Sequence, residues 1–386
     1  MSWSEEQVAL QRSTAEFVRR EVEPHLQQWE DAGEIPRELH LAAAKAGLLG
    51  VSFAEEVGGQ GGTLLDSVAL QEAFFEAGGS SGLAAGLFTG GIALPHMAAH
   101  GTPDQVDAFV RPTLAGERIG ALAVTEPGGG SDVAGLRTTA VRDPSTSSGR
   151  EGDFVVNGSK TFITSGVRAD FVTTAVRTGG PGHAGISLLV VERGTPGFTV
   201  DRALSKMGWH CSDTAELSYV DVRVPAANLV GAENGGFALI AEQFVVERIA
   251  LAVHAYGIAA RCLALAAAYC RDRETFGRPL ISRQVVQHQL VEMQRSVWVA
   301  RCYVHDVARR YVAGEDVVAE ACLAKQTAVE ACDHVVDRAV QLHGGTGYLH
   351  GTEVERHYRD SRILGIGGGA TEVLTDLSAR LLGFAS

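Results

Sequence analysis

Apolar residues recur every three to four positions at the start of the chain, alternate with polar residues in its middle, and return to helical spacing near its end. The first pattern, between Glu5 and about Leu114, predicts helices, and the glycine clusters inside it predict the turns that separate them. After about Ile119, short β-branched and alternating runs predict strands. From Gly235 onward the spacing predicts long helices. The predicted strands include 154–157, 171–176, 186–191 and 220–224, and the predicted long helices are 237–271, 284–312 and 317–342.

The order of helix, strand and helix predicts three domains, and no internal repeat is visible. We expect a helical domain at 1–118, a domain of strands at 119–232 and a second helical domain at 233–386. Several short strands close together favour a compact sheet or barrel. Long antiparallel helices joined by short turns favour a bundle, so the expected fold class is α+β.

Composition and charge narrow the classes of function. The 386 residues include 46 acidic and 33 basic ones, a net charge of −13 without any basic block, so nucleic acid is not an expected partner. No apolar run approaches the roughly 20 residues that span a bilayer, and the first residues do not form an export signal, so we expect no membrane association and a cytoplasmic location. The six cysteines lack C-x-x-C spacing, which predicts free thiols and no metal site.

Two polar clusters have the chemistry to bind a flat ring. The usual phosphate loops, GxxxxGK[ST] and GxGxxG, are absent, which disfavours a Rossmann site. Residues 123–132 end a predicted strand in a glycine-rich turn whose N–H groups suit an anion or a ring carbonyl. Residues 160–166 combine hydroxyls with an aromatic ring, which suits a flat heterocycle. A plain glycine turn and a strand end with satisfied hydroxyls are the structural alternatives.

Two further clusters suit phosphate or a closely approaching ligand. Residues 273–278 join two predicted bundle helices and offer the guanidinium groups of Arg273 and Arg278. Residues 366–372 contain three consecutive glycines, which let the backbone come close to a ligand and leave N–H groups free to donate. A solvated basic turn and a linker are the alternatives.

Glu247 is the most informative single residue. A helical wheel places it on one apolar stripe with Phe237, Ile240, Phe244 and Leu251. Its carboxylate is therefore predicted to be buried, and burial would raise the pKa toward that of a useful general base. An internal ion pair with Arg248 or another basic group is the alternative.

Two long motifs, one before the predicted bundle and one near its end, resemble those of one enzyme family. Residues 124–135 read VTEPGGGSDVAG and residues 341–348 read QLHGGTGY, and between them stand Met207-Gly208, 211–214, Arg273 and 276–278 in order. In these motifs the chain resembles the acyl-CoA dehydrogenase family of flavoproteins, essentially from end to end. The resemblance implies an N-terminal helical domain, a middle β-barrel domain and a C-terminal four-helix bundle.

The resemblance also implies FAD as the cofactor, bound between the middle domain and the bundle in a homotetramer. Thr125 and Thr164 would hydrogen-bond the flavin ring, Phe162 would pack against it, and Ser131 would contact the pyrophosphate. The ADP half would be held, partly across the subunit interface, by Arg273, Phe276, Gln284, Gln341, Gly344 and Gly345. The implied substrate contacts are Ser131, Phe244, Arg248 and Gly368.

The implied reaction is the α,β-dehydrogenation of an acyl-CoA thioester, in which a glutamate takes the α-proton and flavin N5 receives the β-hydride. Many family members carry this base in the glycine loop, where this chain has Gly368. Isovaleryl-CoA and long-chain acyl-CoA dehydrogenases carry it on the helix, in a Glu-Arg pair that matches Glu247-Arg248. The wheel and the resemblance therefore select Glu247 as the base, and the Gly368 N–H would help to stabilise the enolate.

Two positions depart from the family pattern, because Gly351 replaces an acidic or amide residue and Ala370 replaces a threonine that contacts FAD. The resemblance implies fatty acid metabolism by beta-oxidation, with an electron-transfer flavoprotein as electron acceptor. Phe88, Phe244 and Tyr256 favour a short or branched acyl group. A flavin monooxygenase or oxidase on this fold is one competing function, against which Glu247 argues. A non-catalytic subunit of a heteromeric dehydrogenase is the other, against which the retained FAD motifs argue.

Overall fold

The structure, a computed structural model, describes residues 3–146 and 152–385 and begins with a helical domain. Ser4 and Gln7 cap the first helix reciprocally, each side chain accepting a hydrogen bond from the other's backbone N–H at 3.1 Å. Thr63 and Asp66 form the same type of cap on the fourth helix. The helices are α1 (Glu5–Phe17), α2 (Leu26–Ala32), α3 (Arg37–Lys45), α4 (Leu64–Glu76), α5 (Ser81–Leu87), α6 (Gly90–Ala93), α7 (Pro95–His100), α8 (Pro103–Gln105) and α9 (Arg111–Leu114).

The middle of the chain forms one eight-stranded sheet, which confirms a β domain. The strands are β1 (Gly120–Ala123), β2 (Thr139–Arg142), β3 (Phe154–Thr164), β4 (Phe171–Arg177), β5 (Ile186–Glu192), β6 (Phe198–Ala203), β7 (Thr214–Val224) and β8 (Leu229–Val230). Hydrogen-bonded neighbours run in the order β6-β7-β3-β2-β4-β5-β8, and β1 pairs with β4 in parallel. Within the described residues, β6 and β8 are the edges of this order. Six of the strands share one apolar core.

The C-terminal part is helical, and its three long helices lie within one residue of the predicted bounds. The elements are α10 (Gly236–Asp272), β9 (Glu274–Thr275), β10 (Arg278–Pro279), α11 (Gln284–Val312), α12 (Val318–His343), α13 (Glu353–Ser361) and α14 (Thr371–Leu381). Helix α10 is central and packs against α4, α11 and α12. The predicted succession of helical, β and helical domains is therefore confirmed.

One expectation about α10 is wrong. The sequence predicted no apolar stretch of membrane-spanning length, but α10 has that length and composition. Its apolar character comes largely from small residues, and 61% of its most apolar window is buried inside the protein. Alanines of α10, Ala252, Ala255 and Ala259 among them, are fully buried in the core that it shares with the neighbouring helices. The helix is therefore apolar on most sides because it lies at the centre of the bundle.

Helix α10 also connects the sheet to the far end of the bundle. At its start, Ser187 of β5 accepts a hydrogen bond from the Asn234 N–H at 2.7 Å. At its end, Tyr269 stacks on His343, the last residue of α12, with ring centroids 4.4 Å apart. The 37 residues of α10 cover about 55 Å at 1.5 Å per residue. Side chains near its two ends therefore belong to different regions of the molecule.

Candidate active site

The structure brings Glu247 and Gly368 together. Glu247 lies about a third of the way along α10, and Gly368 belongs to the glycine loop, defined here as residues 366–370 before α14. A Cβ atom placed on Gly368 would lie 3.3 Å from Glu247 Oε1 and would clash with Cδ1 of Leu251. A carboxylate carried by α10 and one carried by the glycine loop would therefore lie in the same place in the site.

Glu247 is half-buried as a whole residue, and its carboxyl group is desolvated, in keeping with the predicted burial of the carboxylate. Phe237, Phe244 and Leu251 on the same stripe are half-buried as well, whereas Ile240 is buried. This stripe therefore lines a cleft that remains open to solvent, because α10 turns it toward the glycine loop and the sheet rather than into the bundle core. A base must be reachable by its substrate, and this placement allows access.

The environment of Glu247 favours its protonated form. Desolvation raises the pKa of its carboxyl above the ordinary value of 4.5, and the positive charges of Lys325 and Arg248 oppose that shift. Within the described residues the carboxylate forms no hydrogen bond or ion pair. Arg248 instead packs its guanidinium over the Phe244 ring, 5.3 Å from the centroid, and in the part of the chain that the structure describes its buried Nε has no hydrogen-bond partner. The ion-pair alternative is therefore not realised as a direct contact, and Lys325 and Arg248 act on the carboxylate only through space.

A buried lysine that sequence reasoning missed holds the glycine loop. Lys325 of α12 is 1% exposed, and its Nζ donates to the carbonyl oxygens of Gly367 at 2.5 Å and Gly369 at 2.7 Å. Gly368 and Gly369 have φ angles of +61° and +94°, which L-residues with side chains rarely adopt. A wheel for α12 would have found Lys325, because it falls among buried alanines such as Ala324 and Ala328.

Replacing Gly368 with alanine is expected to lower kcat about 10²-fold, because the new methyl group collides with Leu251 and displaces a backbone N–H from the site. The positive φ adds a stability loss of about 1 kcal/mol. Gly367→Ala is the matched control, since its Cβ would meet Ile363 atoms only at 3.6 Å and beyond, and we expect less than a tenfold effect. Steady-state kinetics and thermal unfolding of both variants test this, and equal losses in the two would contradict it.

The two ring-binding clusters are joined at one end of the sheet. The Thr161 N–H donates to the Thr125 carbonyl at 2.9 Å. Glu126 connects them further, because its Oε1 accepts from Lys160 Nζ at 2.9 Å and from the Thr138 N–H at 2.8 Å. Lys160 is fully buried. Neither Glu126 nor Lys160 was assigned a role from the sequence, and together they fix the glycine-rich turn against β3.

This end of the sheet has the shape and donors that a flavin ring requires. A register shift in β3 between Lys160 and Ile163 turns Phe162 outward, with φ of 60° and a ring that is 68% exposed. Thr125 and Thr164 are half-buried and Ser131 is exposed. A Cβ atom at Gly128 or Gly129 would meet no atom within 4 Å. An exposed aromatic face, hydroxyls and open backbone therefore fit a large planar cofactor with a phosphate tail.

The residues expected at the ADP half lie together at the opposite end of α10. The Tyr269–His343 stack brings the β9–β10 hairpin beside Gly344 and Gly345. Phe276, at the tip of that hairpin, is 98% exposed with φ of 51°, and Arg283 donates to the Thr275 carbonyl at 2.6 Å behind it. The other members of this group are all exposed: Arg273, Gln284, Gln341, Gly344 and Gly345.

One chain does not bring the two halves of the implied FAD site together. Phe244 and Val124, next to Thr125, pack against the same apolar core near the start of α10. Arg273 follows Glu247 by 26 positions, which corresponds to about 39 Å along the helix axis. A site that used both groups would therefore need a second copy of the chain.

Comparison with known proteins decides the family. The sequence profiles of the N-terminal, middle and C-terminal domains of acyl-CoA dehydrogenase match residues 4–117, 121–222 and 234–383. The chain belongs to the acyl-CoA dehydrogenase family. Its relatives support an oxidoreductase of this class and a place in fatty acid metabolism, in agreement with the resemblance seen in the sequence.

The acyl-CoA dehydrogenases similar to this chain differ in their named substrates. The mitochondrial long-chain specific enzyme of Rattus norvegicus is 38% identical over 383 residues, covering 98% of this chain and 86% of that protein. Isobutyryl-CoA dehydrogenase of Bos taurus is 34% identical over 383 residues, covering 99% and 90%. A structure from Mycobacterium smegmatis, assigned to the acyl-CoA dehydrogenases, is 58% identical with a TM-score of 0.97, covering 100% of this chain and 99% of that one. Family membership is therefore established, but it does not determine which acyl group the enzyme accepts.

Proposed function

We propose that this acyl-CoA dehydrogenase uses Glu247 to remove the α-proton of an acyl-CoA thioester. The observation that carries the proposal is the carboxylate of Glu247, which lies beside Gly368 with a raised pKa and makes no direct hydrogen bond or ion pair within the described residues. An unactivated thioester is a weak carbon acid, so its base must be free of competing partners and correctly placed. A flavin monooxygenase, whose chemistry is the activation of oxygen, removes no α-proton and needs no such base.

We propose FAD as the cofactor, held at its ring by Thr125, Phe162 and Thr164 and near its phosphates by Ser131. When bound, FAD would accept the β-hydride of the substrate. The ADP half would be held by residues of a second copy: Arg273, Phe276, Gln284, Gln341, Gly344 and Gly345. The separation of about 39 Å along α10 and the exposed Phe276 ring support this arrangement, which the homotetramer implied by the resemblance would provide.

Residues of the chain itself remove the α-proton, stabilise the thioester oxygen and align the substrate. Glu247 Oε1 takes the α-proton, and the electron pair of that C–H bond moves toward the thioester carbonyl, whose oxygen gains negative charge. The Gly368 N–H donates to this oxygen. Phe244 and Arg248 border the cleft, with the guanidinium fixed over the ring. These residues keep the thioester aligned with the base and shield it from water.

The acyl group is proposed to be short or branched. Phe244 lies three residues before Glu247 on α10 and is half-buried, so it restricts the space beside the base, and Phe88, which follows α5, is half-buried as well. Tyr256 does not contribute as the sequence suggested, because it lies in the core and donates its hydroxyl to Glu72 at 2.9 Å. An electron-transfer flavoprotein as acceptor and a cytoplasmic location stay predictions of the same proposal.

We expect kcat/KM to fall at acidic pH, with the midpoint of the fall above pH 4.5. Desolvation favours the neutral carboxyl of Glu247, so the free enzyme gains its base only at a pH above the ordinary glutamate value. As the pH falls through the raised pKa, kcat/KM should drop tenfold per pH unit. Thioester-dependent flavin reduction between pH 4.5 and 9 measures this, with tryptophan fluorescence as a control for acid unfolding. A limb at or below 4.5 in folded protein would contradict the prediction.

Anaerobic titration with acyl-CoA thioesters tests the proposed function. Purified protein is mixed with straight and branched thioesters of increasing length, and the flavin absorbance near 450 nm is followed. Bleaching by at least one thioester supports the dehydrogenase, and the substrate with the highest kcat/KM defines the acyl group. Yellow protein that no thioester bleaches but that consumes oxygen with another reductant would favour the monooxygenase or oxidase. Colourless protein that does not take up FAD would favour the non-catalytic subunit.

A further inference from the structure

Lys325 forms hydrogen bonds that have no part in the proposed reaction. Its ammonium is buried and donates to the two carbonyls on either side of Gly368, those of Gly367 and Gly369. Burying a lysine is costly unless its charge is compensated. Here two backbone carbonyls and the nearby carboxylate of Glu247 offset part of the cost, and burial still lowers the pKa of Lys325 to about 8. The same loop could be closed by an apolar side chain without that cost, so the charge itself calls for an explanation.

The peptide bond between Gly367 and Gly368 relates this lysine to the site. A trans peptide is planar, and its C=O and N–H point in opposite directions. With the Gly367 oxygen fixed on Lys325 Nζ, the Gly368 N–H is directed away from the ammonium. Within the described residues this N–H has no acceptor in the protein, whereas the Gly367 N–H donates to the Ile363 carbonyl at 2.8 Å. The Gly368 N–H is thus oriented and free to donate to a ligand.

The positive charge also strengthens this donor. A hydrogen bond from an ammonium to a carbonyl is charge-assisted and polarises the whole peptide unit, which makes the attached N–H a better donor. The second bond, to Gly369, fixes the other side of Gly368 and maintains its φ of +61°. Because the loop is held at two points by one group, its backbone need not rearrange when charge develops on a ligand.

We propose that Lys325 is a positioning residue that orients and polarises the Gly368 N–H toward the thioester oxygen. The inference rests on the proposed function. As Glu247 takes the α-proton, the C–H electron pair becomes the new bond between the α-carbon and the carbonyl carbon, and the carbonyl oxygen becomes the enolate oxygen. The oriented N–H stabilises this oxygen more than it stabilises the neutral thioester, so Lys325 acts on kcat more than on KM.

The test compares Lys325→Met with Gln326→Leu in the FAD-loaded enzyme. Methionine keeps the length of the side chain without its charge or donors. Gln326 follows on α12 and donates to the Thr371 carbonyl and Thr375 Oγ1, both at 3.1 Å, so its loss loosens the segment after the glycine loop without releasing Gly367 or Gly369. We expect Lys325→Met to lower kcat about 10²-fold with KM changed less than about threefold, and Gln326→Leu to change both less than about threefold.

A second readout separates positioning from general loosening of the structure. A 3-oxoacyl-CoA has an acidic α-proton and ionises to an enolate, so its bound pKa can be followed by absorbance without turnover. We expect Lys325→Met to raise that pKa by about one unit or more, Lys325→Arg to restore most of the difference, and Gln326→Leu to leave it unchanged. If Lys325→Met does not retain flavin, Lys325→Gln replaces it under the same criteria, because its amide keeps donors but no charge.

The outcomes distinguish the two proposals. Wild-type enzyme that neither bleaches with thioesters nor ionises the 3-oxoacyl-CoA would overturn the proposed function and this inference with it. Wild-type enzyme that does both, together with a Lys325→Met variant of unchanged kcat, would overturn this inference alone. A Lys325→Met variant that loses kcat with an unchanged enolate pKa, or a loss shared by Gln326→Leu, would likewise overturn it and leave Lys325 a structural residue.

Discussion

Replacing Glu247 with glutamine is expected to reduce the rate of thioester-dependent flavin reduction by at least about 10³-fold, with thioester affinity changed less than about threefold. Glutamine has nearly the shape of glutamate but cannot accept the α-proton. The carboxylate makes no direct hydrogen bond or ion pair within the described residues, so its replacement breaks no direct contact, and Lys325 keeps its hydrogen bonds to Gly367 and Gly369. The loss should therefore appear in the chemical step.

Anaerobic stopped-flow measurements of wild type and Glu247→Gln check this result. Glu242→Gln is the matched control, because Glu242 also lies on α10 but is exposed and pairs with His100 at 3.3 Å on the surface. We expect that variant to reduce its flavin at the wild-type rate. Rapid reduction in Glu247→Gln would show that another group removes the proton and would remove the main support for the proposed mechanism.

Replacing Asp213 with alanine is expected to lower the free energy of unfolding by about 3–5 kcal/mol, the largest stability effect of the changes considered. Asp213 and Arg168 form a buried ion pair with Oδ1 and Nε 2.8 Å apart, and Asp213 Oδ2 accepts from the Val167 N–H at 2.7 Å. Arg168 also donates to the Ile35 carbonyl of the N-terminal domain at 2.6 Å. Without Asp213, the buried guanidinium loses its counter-charge at a contact between two domains.

Urea unfolding followed by circular dichroism measures the Asp213 effect. Asp306→Ala serves as the control, since Asp306 pairs with Arg309 at 3.1 Å on the surface of α11, where both side chains are about half exposed. A surface pair of this kind contributes no more than about 1 kcal/mol. Similar losses in the two variants would mean that burial does not determine the strength of the Asp213 pair.

The fold follows from sequence patterns that are long and regular. The limits of α10, α11 and α12 were predictable because helical spacing persists for more than 25 residues and glycines interrupt it. The strands β3, β4, β5 and β7 were predictable where β-branched runs are dense. The pairing order of the sheet was not, because it depends on contacts between distant segments that a local pattern does not record.

Local patterns explain the candidate site only in part. A wheel identified the stripe of Glu247 and the burial of its carboxylate, but it cannot tell whether a stripe faces the core or a cleft, so the half-open setting of the residue was not predictable. Tyr256 was misplaced for the same reason. Lys325 and Glu126 were missed because their partners are backbone groups that come together only in the folded chain. The family resemblance supplied the order of the motifs, and the structure supplied their distances.

The length of α10 has a consequence for inheritance. In the assembly proposed above, the Glu247 end of one chain and the Arg273 end of another would serve the same cofactor. Two alleles, one damaged at each end, would then complement each other, because some mixed assemblies would contain a site built from the two intact ends. A damaged Phe276 hairpin would impair a neighbour whose own sequence is normal. Dominance relations among mutant alleles would therefore report which end of the helix each one affects.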